Sequence, residues 1–176
     1  MKLLEGLKVI NLAVNLPGPA AGRRLHQLGA QVIKVEPPSG DPMSLYLPEW
    51  HADMAAGQEV IILDLKNPEQ RSQLDDLLAD ADLLITANRP AALKRLGLGW
   101  DELHLKYPNL CQVAIVGYPA PHENVPGHDL TYQAKIGLLT PPHMPRTLIA
   151  DMAGAEIAVS EALALLLAKE RGQAAG

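Results

Sequence analysis

Residues 7–35 read LKVINLAVNLPGPAAGRRLHQLGAQVIKV, and this stretch decides the fold. The run Leu7-Lys8-Val9-Ile10-Asn11-Leu12 has the length and apolar character of a strand. Leu16-Pro17-Gly18-Pro19 is a turn that ends it. A helix then spans residues 19–28, with Pro19 suited to its first turn and Gly29 to its C-terminal stop. Gln31-Val32-Ile33-Lys34-Val35 forms a second strand, closed by Glu36-Pro37-Pro38. Strand, crossover helix and strand make a βαβ unit, whose two strands lie parallel.

The same alternation continues along the chain. Residues 38–57 read as irregular, because Gly40-Asp41-Pro42 and Pro48 break any period. Residues 60–65 read as a buried strand and 68–78 as a helix with Asn67 as N-cap. A short strand at 82–85 precedes short helices at 90–96 and 100–106. Residues 110–116 are almost continuously apolar, which predicts a central strand. A proline-rich loop at 119–126 leads to a helix at 129–139, and a long Ala/Leu helix occupies 151–171. Five strands separated by helices predict an α/β fold: a Rossmann-like parallel sheet with helices on both faces, in a single domain. The ligand crevice of such a sheet lies at the carboxyl ends of its strands, here after Leu12, Val35, Leu65, Ile85 and Val116. Neither a G-x-G-x-x-G nor a Walker A sequence occurs, so no dinucleotide or phosphate-loop signature is present.

Composition narrows the function. The chain of 176 residues carries 15 Lys+Arg against 20 Asp+Glu, and only 3% of it is aromatic, with no Phe. Its core must therefore be aliphatic, and it offers neither a basic stripe nor stacking platforms for nucleic acid. The single cysteine, Cys111, excludes an internal disulfide and a multi-thiolate metal site, and no metal is expected. Residues 1–12 include Lys2, Glu5 and Lys8 and lack the apolar core of a signal peptide. Glu156 and Glu161 interrupt the most apolar stretch, 152–168, which is shorter than the roughly 20 residues that cross a bilayer. The expectation is a cytoplasmic protein with no membrane partner.

Several segments, in order, resemble the N-terminal half of the family III CoA-transferases, which also include α-methylacyl-CoA racemase. They are Leu4-Glu5-Gly6-Leu7-Lys8-Val9-Ile10, Pro17-Gly18-Pro19 and Leu28-Gly29-Ala30-Gln31-Val32-Ile33-Lys34-Val35-Glu36-Pro37-Pro38. Gly40-Asp41-Pro42, Leu63-Asp64-Leu65-Lys66, Arg89-Pro90, Leu96-Gly97-Leu98-Gly99 and Pro126-Gly127-His128-Asp129-Leu130 follow. Ala150-Asp151-Met152-Ala153-Gly154 and Glu170-Arg171-Gly172-Gln173 complete the series. The G-H-D and A-D-x-A-G segments are more similar to the racemase branch.

That resemblance implies a CoA-thioester enzyme or enzyme subunit with no permanently bound cofactor, coenzyme A thioester being its substrate. In the racemase branch His128 and Asp151 would exchange the proton at C2 of a 2-methylacyl-CoA, with Asp129 as an orienting carboxylate. Inversion needs a base on each face of the carbon, and one imidazole and one carboxylate can share that work. The enolate oxygen needs fixed donors, such as backbone N–H groups at a helix N-terminus. In the transferase branch the resemblance makes Asp129 a nucleophile that forms a covalent adduct during CoA transfer between carboxylic acids. Asp129 and Asp151 each also stand where a predicted helix begins, the ordinary place of an N-cap. Glu36 and Pro37 are expected near the adenine of CoA, and Lys66 and Arg95 near its phosphates; Arg95 could equally pair with Asp101 or Glu102.

The chain also departs from the family pattern. A basic R-G-K-R stretch is replaced by Ala56-Gly57-Gln58-Glu59, which removes cations suited to phosphate. The E-N-x-R-P segment is reduced to Arg89-Pro90, and the glycine-rich loop after the last strand is shortened to Gly117-Tyr118-Pro119-Ala120-Pro121-His122. The resemblance implies that residues 1–176 are the N-terminal-type domain, without the second, smaller family domain. A homo-oligomer, or a subunit supplying the missing half, is therefore expected. The alternative is a catalytically degraded acyl-CoA-binding or assembly module that pairs with itself or with a full-length relative.

Overall fold

Five strands, β1 (Lys8–Asn11), β2 (Gln31–Glu36), β3 (Glu59–Ile62), β4 (Leu83–Thr86) and β5 (Cys111–Ala114), form one parallel sheet in the order β3-β2-β1-β4-β5. The structure is a computed structural model and describes residues 2–173. The helices are α1 (Pro17–Gln27), α2 (Met43–Tyr46), α3 (Pro48–Ala55), α4 (Pro68–Ala79), α5 (Pro90–Arg95), α6 (Trp100–Lys106), α7 (Asp129–Lys135) and α8 (Ile149–Glu170). The chain thus forms a single α/β domain. Among the described residues, no helix is long and apolar enough to cross a membrane.

Alternation along the strands sends side chains to two cores. On one face Val9, Val32, Leu83, Ile85, Cys111 and Val113 pack against Ala21 and Leu25 of α1 and the Ala155–Leu166 side of α8. On the other, Ile10, Val35 and Leu84 meet Leu74 and Leu78 of α4, Leu93 of α5 and Leu103 of α6. Both cores are aliphatic apart from Cys111, as the scarcity of aromatics requires.

At Gly18 and Gly22, helix α1 lies so close to β1 and the loop after it that only glycine fits. A Cβ at Gly18 would stand 2.0 Å from the Ala13 Cβ, and one at Gly22 would stand 2.6 Å from the Asn11 Nδ2. Asn11, fully buried, donates to the Gly18 carbonyl at 2.9 Å and accepts from the Ala13 N–H at 3.0 Å. The helix and the loop after β1 are thereby pinned to the strand.

Four expectations are corrected. Residues 38–57 are not irregular: Pro42 and Pro48 start the short helices α2 and α3, whose Met43 and Met54 cover Leu16. Proline at a first turn initiates a helix as readily as it breaks one. The strand at 110–116 is not central but an edge, and its apolar character serves α8, which covers it. The strand at 60–65 is the opposite edge, with Val60 and Ile62 exposed rather than buried. Helix α7 stops at Lys135 instead of 139, and Gly137 follows with φ +74°.

Candidate functional site

A cleft of about 440 Å³ opens at the carboxyl ends of β1, β4 and β5. Its walls are the loop after β1 (Val14, Asn15) with Pro17 at the start of α1, the loop after β4 (Ala87–Arg89) and the loop after β5 (Ile115–Gly117). The segment Val125–His128, Tyr132 of α7, and Ala150, Asp151 and Gly154 of α8 complete them. The position follows from topology: the chain turns left from β1 to β2 and β3 and later right to β4 and β5. The two departing loops leave a crevice between β1 and β4.

His128 and Asp151 both line this cleft. His128 is exposed and occupies the N-cap position of α7, where its side chain makes no capping bond. Asp151 is half-buried in the first turn of α8. Its carboxyl is raised above the ordinary aspartate value by burial first and by the charge of Asp129 second, with His128 pulling the other way.

Asp129 is the first residue of α7, 3% exposed, and it does not line the cleft. One carboxylate oxygen accepts the Ala150 N–H at 2.7 Å and the Asp151 N–H at 3.1 Å; the other accepts from the Gln133 side chain. Gln133 in turn donates to the Thr147 carbonyl at 3.0 Å. Asp129 therefore caps α8 from a neighbouring helix, and Asp151 caps nothing. Two amides at the α8 N-terminus are therefore taken by this cap.

Tyr132 runs between two glycine backbones. A Cβ at Gly117 would stand 2.0 Å from its hydroxyl oxygen, and one at Gly127 would stand 2.6 Å from its ring. Tyr118 meets that ring edge-on, with centroids 5.6 Å apart, and the Lys135 ammonium lies 4.3 Å from the Tyr118 centroid. At Gly154 a Cβ would meet nothing within 4 Å, so the missing side chain there is open cleft.

The four residues expected at CoA lie elsewhere. Glu36 is buried, with its oxygens on Lys34, His51 and the Asp41 N–H. Pro37, Lys66 and Arg95 are exposed, and none of the four lines the cleft. No ion pair joins Arg95 to Asp101 or Glu102 among the described residues. The cation in the cleft is Arg89, at the start of α5, and a second carboxylate there is Glu123. Sequence reasoning assigned no role to Asn15, Arg89, Glu123 or Tyr132. Arg89 belonged to the quoted Arg89-Pro90 and Tyr132 stood two positions beyond the quoted Leu130, whereas nothing local marked Asn15 or Glu123.

Comparison with known proteins places this geometry. The family model "CoA-transferase family III" matches residues 4–176. The cinnamoyl-CoA:phenyllactate CoA-transferase of Clostridium sporogenes is 35% identical over 97% of this chain and 47% of its own length. The succinyl-CoA–D-citramalate CoA-transferase of Chloroflexus aurantiacus is 32% identical over 98% of this chain and 46% of its own. A crystal structure of Rv3272 from Mycobacterium tuberculosis superposes with a TM-score of 0.90 at 34% identity, over 98% of this chain and 53% of that one. The chain thus spans about half the length of the curated relatives it matches. With the parallel sheet, the switch-point cleft and a match along almost all its residues, the chain belongs to CoA-transferase family III.

Proposed function

We propose that the cleft is the CoA-thioester site of a CoA-transferase acting between carboxylic acids, and that Asp151 is its nucleophile. The observation supporting this is the split between two carboxylates: Asp151 lines the cleft, while Asp129 is consumed in capping α8. An Asp151 oxygen would attack the thioester carbonyl carbon, and CoA would leave as its thiolate, giving an acyl-aspartyl anhydride. Return of the thiolate to the aspartyl carbonyl would release the donor acid and leave an aspartyl thioester, which the acceptor carboxylate would attack in turn. A carboxyl raised by burial is a better nucleophile than a fully solvated one once ionised. Arg89 is the cation this cleft offers to an anionic ligand, in the place first expected of Lys66 and Arg95.

The relatives named above are CoA-transferases about twice as long as this chain. We read residues 1–176 as the N-terminal-type half of such a site, completed by a second copy or by a subunit carrying the rest. A racemase-type reading, proton exchange at C2 by His128 and Asp151, is favoured by one observation: both residues line the same cleft.

The test incubates the chain with cinnamoyl-CoA or succinyl-CoA and a panel of carboxylic acids, following CoA exchange and the mass of the Asp151 peptide. An adduct on that peptide, lost in Asp151→Asn and retained in His128→Ala, supports transfer. Deuterium entering C2 of a 2-methylacyl-CoA, lost in both His128→Ala and Asp151→Ala, would favour the racemase reading instead. Binding of CoA without either reaction would leave the acyl-CoA-binding module.

A further inference from the structure

The loop after β1 forms one wall of the cleft, and its conformation is imposed from outside. Asn15 is, among the described residues, the non-glycine residue in the left-handed region, at φ 69°, in a loop where no glycine relieves the strain. Its backbone N–H donates to an Asp41 carboxylate oxygen at 2.9 Å. Its side-chain oxygen accepts from the Tyr46 hydroxyl of α2 at 3.0 Å.

Asp41 is fully buried and is itself held on every side. The oxygen that accepts from Asn15 also accepts the Met43 N–H at 3.0 Å, at the start of α2. Its other oxygen accepts from the Lys34 ammonium at 2.8 Å. Its own N–H donates to Glu36 at 3.1 Å. Lys34 is 1% exposed and also bonds Glu36, whose third partner is His51 at 3.0 Å. Burial alone would push the Glu36 carboxyl up, but the bonds from Lys34 and His51 outweigh it and hold the group low. Glu36, Asp41 and His51 bring their ligand atoms within 4.8 Å of one another, as a metal site would. The Lys34 ammonium already answers both carboxylates, so the cluster is an internal ion network.

We propose that Asp41 is a positioning residue for the cleft: it locks Asn15 in its left-handed conformation, and the buried ammonium of Lys34 fixes the carboxylate that does so. The inference rests on the reading of the cleft as the CoA-thioester site. It assigns to Gly40-Asp41-Pro42 a role at a distance, because Asp41 does not line the cleft while Asn15 does. Through Met43 the same carboxylate starts α2, so one side chain sets both the cleft loop and the helix that covers it.

The test compares Asp41→Asn with His51→Ala, each checked by circular dichroism and melting temperature. In Asp41→Asn the Lys34 ammonium claims the one remaining oxygen and turns the NH2 group against the Asn15 N–H. We expect Asn15 amide exchange to quicken about tenfold and the Kd for CoA to rise about tenfold, the scale of a lost supporting contact. His51→Ala, which touches the network but not Asn15, should leave both unchanged at a similar loss of melting temperature. Unchanged Asn15 exchange in folded Asp41→Asn and Asp41→Ala overturns the proposal. Faster exchange with an unchanged Kd overturns the link from the brace to the ligand. Failure of the unaltered chain to bind CoA refutes the reading of the cleft instead, and Asn15 exchange alone then decides whether Asp41 is a brace.

Discussion

Asp129 and Asp151 stand 22 positions apart, and each opens a helix in the sequence, yet they do different work. The first is buried and gives both oxygens to other groups; the second is half-buried on the cleft wall. Asp129→Ala should leave the Ala150 and Asp151 amides unsatisfied and cost about 1–2 kcal/mol, the usual cost of a lost cap. Thermal unfolding measures the loss, and amide exchange should localise it to the start of α8. Asp151→Asn should act in the opposite direction. Because the folded-state pKa of Asp151 is raised, the folded chain binds its proton more tightly than the unfolded one. Stability then falls as pH rises from the ordinary value of 3.8 through the folded value, and the ionised carboxylate is a cost at pH 7. The variant should melt above the parent at pH 7, and the gap should close below about pH 4. A gap that widens on acidification would contradict this account. Both carboxylates were visible in the sequence, but their division of labour was not, since it depends on which helix end each one faces.

At the scale of elements, close approach and capping carry the argument. Gly18→Ala sets a methyl against the Ala13 side chain and backbone, which can yield only by moving α1. It should cost about 2–3 kcal/mol, at the upper end of overpacking effects. Gly154→Ala should do the reverse. Its Cβ meets nothing within 4 Å, so the gain in helix propensity, about 1 kcal/mol, is left unopposed. Chemical denaturation measures both. Gly154→Leu should keep that stability while filling cleft space and weakening CoA binding, which calorimetry would register. Asn67 is an element-scale reading that held: its side chain accepts the Glu69 and Gln70 N–H groups at the start of α4. The readings that failed, α2 and α3, involve proline at a helix start, where local chemistry alone does not separate initiation from interruption.

For the whole molecule, what matters is which apolar surface the sheet leaves uncovered. Edge strand β3 exposes Val60 and Ile62, at 42% and 61%, and its outer hydrogen-bonding side faces no further strand among the described residues. Such an edge is open to pairing with another chain. Ile62→Lys should change stability by less than about 0.5 kcal/mol yet reduce light scattering on concentration, because charge on an edge blocks strand addition. A fall in melting temperature without a change in scattering would count against an edge contact.

The sequence alone determined the order of the strands and of the helices other than α2 and α3, the parallel sheet, the aliphatic cores and the family resemblance. These rest on periodicity, turn residues and local motifs, which are properties of neighbours along the chain. The rank of each strand was not among them. Near-continuous apolar runs mark burial on both faces, and β5 is covered by α8 while lying at an edge, so composition there could not distinguish edge from centre. Only the tertiary structure set Arg89, Tyr132, His128 and Asp151 around one cleft, withdrew Asp129 and Glu36 from it, and coupled Asn15 to Asp41 and Lys34. The physical reason is that a site is a meeting of loops from distant strands. Which loops meet is fixed by the crossover between β1 and β4, a long-range pairing that no local stretch encodes.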